Sequence, residues 1–146
     1  MNELTYKRTQ SAHILVSILL VSVLGGLFLA GISMPQFWVI GIILALIGFL
    51  FSSLTVIVDK TAVYWYFGPG FWRKTIALDE IIRVRSVRNK WWYGWGIRYT
   101  PHGWLYNVYG LGAVELHLAD GKKLRVGTDE PDSLRRTIES ECARSH

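Results

Sequence analysis

Residues 113–127 read AVELHLADGKKLRVG, and this stretch decides what kind of fold the chain builds. Apolar and polar residues alternate at period two, the side-chain period of a strand with one buried face. The interruption at Ala119-Asp120-Gly121 fits a three-residue hairpin loop with the glycine left-handed in a bulge. That loop sets the register, with Val114 opposite Val126 and Leu116 opposite Leu124 on one face. Glu115 falls opposite Arg125 on the other face, which reads as solvated together with His117 and Lys123.

Working outward, further short strands are predicted at Leu54 to Val58, Val63 to Phe67, Ile81 to Val87, Ile97 to Thr100 and Trp104 to Tyr109, with Arg73 to Ile76 extending one of them. In Ile81 to Val87, the side chains of Ile82 and Val84 should point inward and those of Arg83 and Arg85 outward. After the hairpin, Thr128-Asp129-Glu130-Pro131-Asp132 places acids and a proline at a helix start, and Leu134, Ile138 and Cys142 follow at spacing four. This last helix needs a surface for its apolar stripe, and the sheet supplies one.

The N-terminal third has a different composition. The whole chain of 146 residues carries 16 Lys+Arg, 11 Asp+Glu and a net charge of +5, yet no charged side chain lies between Arg8 and Asp59. The runs Ile14 to Ile32 and Phe37 to Leu54 hold 13 and 12 Leu/Ile/Val/Phe residues, with Pro35 in the break between them. A bilayer core of about 30 Å takes roughly 20 apolar residues per helix, so a two-helix transmembrane hairpin is predicted, with spans at about 12–32 and 36–53. A signal peptide is the competing reading of the first run, disfavoured by the bulky Phe28 and the second run that follows at once. Lys7 and Arg8 before the first run and Lys60, Arg73 and Lys74 after the second would put both termini in the cytoplasm. The expected location is thus the inner membrane, multi-pass, with residues 1–53 as tail and hairpin and 54–146 as a cytoplasmic domain. Small residues at Ser22, Gly26 and Ala30 on one run and Gly41, Ala45 and Gly48 on the other suit close packing within the hairpin, or self-association through it.

About seven antiparallel strands followed by one amphipathic helix resemble the pleckstrin-homology superfold. The stretches Leu54 to Asp59, Phe67 to Gly70, Ile76 to Ile82, Gly94 to Arg98, Tyr106 to Gly110, Ala113 to Leu116 and Gly127 to Pro131 are similar to the bacterial PH-like domains of small membrane proteins. The resemblance covers roughly residues 54 to 142 and implies an α+β fold: the transmembrane hairpin, then a seven-stranded antiparallel PH-like barrel closed by a C-terminal helix. Its motifs mark strands and turns rather than chemistry. The first hairpin loop, Asp59-Lys60-Thr61, lacks the cluster of basic residues of the lipid-binding eukaryotic relatives, so no phosphoinositide pocket carries over.

Sequence motifs for catalysis are sparse. No His-Glu-x-x-His pair, Gly-x-Ser-x-Gly elbow or dinucleotide glycine loop occurs, and the single cysteine, Cys142, excludes an internal disulfide and a cysteine-based zinc cluster. No cofactor is implied, and Glu115 with His117 is the one acid/base arrangement, belonging to an alternative reading as accessory subunit of a membrane enzyme or transporter complex.

Two other features stand out. Arg73, Lys74, Arg83, Arg85, Arg88 and Lys90 form a basic cluster opposed by only Asp79 and Glu80. Eight of the 19 residues from Trp91 to Tyr109 are Trp or Tyr, with Trp91, Trp92 and Trp95 in a predicted loop. Cations suit anionic lipid head groups, and such rings partition to a bilayer interface. Arg83, Arg85, Arg88, Lys90, Trp91, Trp92 and Trp95 are therefore the candidate contacts of a non-enzymatic adaptor or scaffold, with lipid bilayer, anionic head groups, a protein partner or a second copy as partners. Arginine between aromatics also suits single-stranded nucleic acid, which the apolar hairpin disfavours.

Overall fold

The computed structural model describes residues 4–29, 35–94 and 96–145, and within them the chain forms a sheet-rich α+β fold. Strand β1 (Leu4–Ser11) is followed by helices α1 (His13–Leu29) and α2 (Pro35–Leu50), then β2 (Ser53–Asp59), β3 (Ala62–Phe67) and β4 (Trp72–Ala77). After a 3-10 turn come β5 (Ile81–Arg88), β6 (Gly96–Thr100), β7 (Gly103–Asn107), β8 (Gly112–Leu118), β9 (Lys123–Gly127) and helix α3 (Pro131–Ser145).

The strands make two sheets, ordered β1-β2-β3-β4 and β5-β8-β9-β7-β6. They do not close into the seven-stranded barrel that the strand count suggested. Two long-range pairings account for the difference: β1 adds an edge to the first sheet, and β7 lies parallel to β9 in the second. Neither is visible in local alternation, because β1 reads LTYKRTQS and a parallel partner is remote in sequence. The β8–β9 hairpin pairs Val114 with Val126, Leu116 with Leu124 and Glu115 with Arg125, and Gly121 turns the corner at φ 84°.

The core lies between the sheets. Leu54, Val56, Val58, Val63, Trp65 and Phe67 from the first sheet meet Val84, Tyr106, Val114, Leu116, Leu124 and Val126 from the second. Trp65, fully buried, crosses the gap to stack edge-on against Tyr106 at 5.2 Å. Helix α3 covers β5 and β8, burying Leu134 and Ile138 with Cys142 beside them. Ile82 is exposed rather than inward, because a bulge between Ile81 and Arg83 gives its inward place to Ile81.

The predicted transmembrane hairpin is corrected here. α1 has 17 residues and α2 has 16. At about 1.5 Å per residue each is about 25 Å long, against a hydrocarbon core of about 30 Å. No helix among the described residues is long and apolar enough to cross a membrane. A multi-pass inner-membrane location, with the orientation inferred for it, loses its support.

At their root the helices are bounded by tertiary structure. β1 and β2 pair in antiparallel register down to Ser11 and Ser53, and the Ala12 N–H donates to the Ser52 carbonyl at 2.7 Å. The helix pair is thus an excursion from a strand pair, and Leu54, the end of the second apolar run, belongs to the core. Lys7 and Arg8, read as topology markers, lie in β1, where Arg8 grips Asp129 at 2.7 Å and Glu130 at 3.1 Å.

The helices meet through α2 glycines. A side chain at Gly41 would sit 3.6 Å from Leu27, and one at Gly48 only 3.1 Å from Val16, whereas Gly26 faces open space. Ala30 lies outside the described residues. Away from the contact both helices are apolar, with Ile14, Ile18, Val21, Phe28, Val39, Ile42 and Phe49 exposed.

Candidate functional site

The outer face of the second sheet carries the charged residues. β5 pairs with β8 so that Arg83 stands opposite His117 and Arg85 opposite Glu115. β9 flanks β8 on its other side, with Arg125 beside Glu115 and Lys123 beside His117. The adaptor candidates and the acid/base candidates, separate in sequence, therefore share one sheet face.

Glu115 and Arg125, expected to be solvated, are 6% and 8% exposed. Arg125 Nε donates to Glu115 Oε2 at 2.7 Å, and His117 Nε2 meets Glu115 Oε1 at 2.6 Å. Arg125 Nη1 also donates to Asn89 Oδ1 at 3.3 Å, and Asn89 is buried. The segment after β5 is tied down by the Asn89 N–H bonded to the Leu111 carbonyl. Sequence reading missed Asn89, since only this long-range closure gives it a place at Arg125.

Burial pushes the Glu115 carboxyl upward, but the bonds and charges of Arg125 and His117 outweigh it and hold the group below its ordinary value. With both oxygens engaged and the ionised form favoured, Glu115 orders the face and is poorly suited to deliver a proton.

The cations around this centre divide into two groups. Arg83, Arg85, Arg88 and Lys90 are exposed on β5 and just beyond it. Arg73 and Lys74 lie on β4, in the other sheet, where Arg73 sits over the Tyr66 ring at 5.6 Å. The six-residue cluster of the sequence thus becomes a set of four and a separate pair.

Trp91 and Trp92 form a short 3-10 turn with Tyr93, and they are 76% and 58% exposed. Their rings pack edge to face at 5.8 Å, and the Lys90 ammonium lies over Trp92 at 4.9 Å. Trp95 lies outside the described residues. Trp104 is half-exposed against Tyr99, on the edge hairpin of β6 and β7.

Hydrogen bonds link this turn to the root of the helix pair. Asn89 is bonded to Leu111, and the preceding Tyr109 carbonyl accepts from Gln10 Nε2, two residues before Ala12 at the start of the helical excursion. Tyr109 itself is half-exposed. Among the described residues no group of three or more His, Cys, Asp or Glu is placed to hold a metal ion. No family model matches the chain, and no curated protein matches it.

Proposed function

We propose that the chain is a non-enzymatic adaptor, related to the bacterial PH-like domains, that is held at a lipid surface and contacts anionic head groups through Arg83, Arg85, Arg88, Lys90, Trp91 and Trp92. Two sheets, antiparallel apart from the β7–β9 pair, and a single amphipathic C-terminal helix packed on β5 and β8 support the relationship. The observations that carry the lipid reading are two helices apolar on all sides and an exposed turn of two tryptophans flanked by Arg88 and Lys90, tied to the helix root through the Asn89–Leu111 and Gln10–Tyr109 hydrogen bonds. An apolar surface of that extent needs a covering phase. Tryptophan and lysine at its base match the boundary between hydrocarbon and head groups.

Each cation near an anionic surface contributes about 1 kcal/mol, falling off over a screening length of about 10 Å. The full chain should therefore float with neutral vesicles through the helix pair and more strongly with anionic ones, the excess vanishing at high salt. Arg83→Gln with Arg85→Gln should reduce the anionic excess, leaving the share of Arg88 and Lys90, and leave neutral flotation alone. Equal flotation with neutral and anionic vesicles would overturn the head-group reading. Loss of a co-purifying protein from the double variant, with flotation unchanged, would assign the face to a protein partner instead.

A further inference from the structure

The two sheets part at one side of the core. On β4, Trp72, Lys74 and Ile76 stand opposite Phe67, Trp65 and Val63 of β3, so they belong to the face that packs inward. Those three β3 residues are buried, yet Trp72 is 47% exposed and Lys74 is exposed as well. On the second sheet Trp104 shares the face of Tyr106, which meets Trp65 in the core, but it is 44% exposed. Between these residues lies a cleft of about 440 Å³, lined also by Ile76, Tyr106 and Leu124.

β4 is the last strand of its sheet, so among the described residues no strand occupies its outer edge. Thr75, on the opposite face of β4, lines the cleft too, so the opening reaches that edge. Every second residue along such an edge presents an N–H and a C=O to any strand that arrives.

Charge decides which strand fits. Glu80 and Asp120 also line the cleft, but Asp120 is bonded to Lys122 at 2.8 Å and Glu80 lies within electrostatic reach of the same lysine. Among the described residues no carboxylate pairs with Lys74. A second copy is a poor occupant: pairing two β4 edges in antiparallel register centred on Lys74 or Thr75 sets the two lysines directly or diagonally opposite, a repulsive pair. The inward-pointing lysine thus guards the edge against its own kind and against purely apolar strands. A carboxylate at that place turns the same lysine into an attraction.

We propose that β4 takes up an extended acidic peptide segment of a partner protein as a further strand, with apolar side chains alternating into the cleft beside Trp72 and Trp104 and one carboxylate against Lys74. β4 belongs to the other sheet from Arg83 and Arg85, so this site and the head-group face can fail separately.

The test titrates the full chain in neutral detergent with the capped peptide Thr-Val-Thr-Glu-Thr-Val-Thr and with its counterpart carrying lysine in place of glutamate. The acidic peptide should bind saturably, one per chain, and the lysine peptide about tenfold more weakly or worse. Lys74→Glu, at an exposed position, should reverse that order. Arg73→Gln, on the opposite face over Tyr66, should leave it unchanged. N-methylation of the acidic peptide at one set of alternate residues should abolish binding and at the other set be tolerated, since only one set faces β4. Indifference to peptide charge, or equal tolerance of both methylated sets, would show adsorption onto the exposed tryptophans and overturn the proposal. So would Lys74-dependent binding of naphthoate with no binding of either peptide, which assigns the cleft to a small aromatic acid.

Discussion

The helix pair and the sheets use the same residue types in opposite ways. Leu, Ile, Val and Phe point outward over most of α1 and α2, and inward between the sheets. In β3 burial alternates residue by residue, so one face packs and the other meets solvent. α1 and α2 have no such alternation and no polar side, so neither could bury itself even against the other. Stability should therefore reside in the sheets, and attachment in the helices.

The largest effect expected from this contrast is Trp65→Ala. Trp65 is fully buried where the two sheets meet, and its loss should cost about 3–5 kcal/mol in urea denaturation, by transfer and cavity terms together. A much smaller loss would mean that the sheets do not form one core.

Glu115→Gln comes next, at about 3 kcal/mol, because it leaves Arg125 buried without its counter-charge. Replacing Glu115 and Arg125 together by leucine should recover most of that loss. A double variant as unstable as the single would show that His117 and Asn89 depend on the pair.

The same carboxylate predicts an acid dependence. Because the folded chain holds Glu115 below its ordinary value of 4.5, its contribution is complete above that range. It is lost as pH falls through the depressed folded value. Parent and Glu115→Gln denaturation midpoints should accordingly converge on acidification, and a gap that widens would contradict the sign.

The smallest stability effect belongs to the helices. Ile42→Asn, at a position 68% exposed on α2, should change the unfolding free energy from urea denaturation by no more than about 0.5 kcal/mol while reducing flotation with neutral vesicles. A large stability loss there would show that the helix exterior packs against protein rather than lipid.

Strand positions were legible wherever a period of two met turn chemistry, as at Ala113 to Gly127. In that hairpin one loop glycine and four aliphatic residues leave a single register. Arg83 and Arg85 were placed correctly on an outward face by the same alternation, but Ile82 was not, since a bulge shifts alternation without a mark in composition. Trp91 and Trp92 were legible as an exposed turn, because two adjacent large rings outside a strand cannot both enter a core.

The sequence by itself determined the uncharged third, the hairpin register, the amphipathic final helix and the outward placing of Arg83 and Arg85 on β5. These rest on contacts between near neighbours, which local pattern encodes. Tertiary structure alone decided that Leu4–Ser11 is a strand, that β7 runs parallel to β9, and that Glu115, Arg125 and Asn89 are buried together. It also decided that no helix among the described residues is long and apolar enough to cross a membrane. Each of these depends on hydrogen bonds between distant segments, above all the Ser11–Ser53 closure that limits the helix pair at its root, and no local period records where such a bond will form.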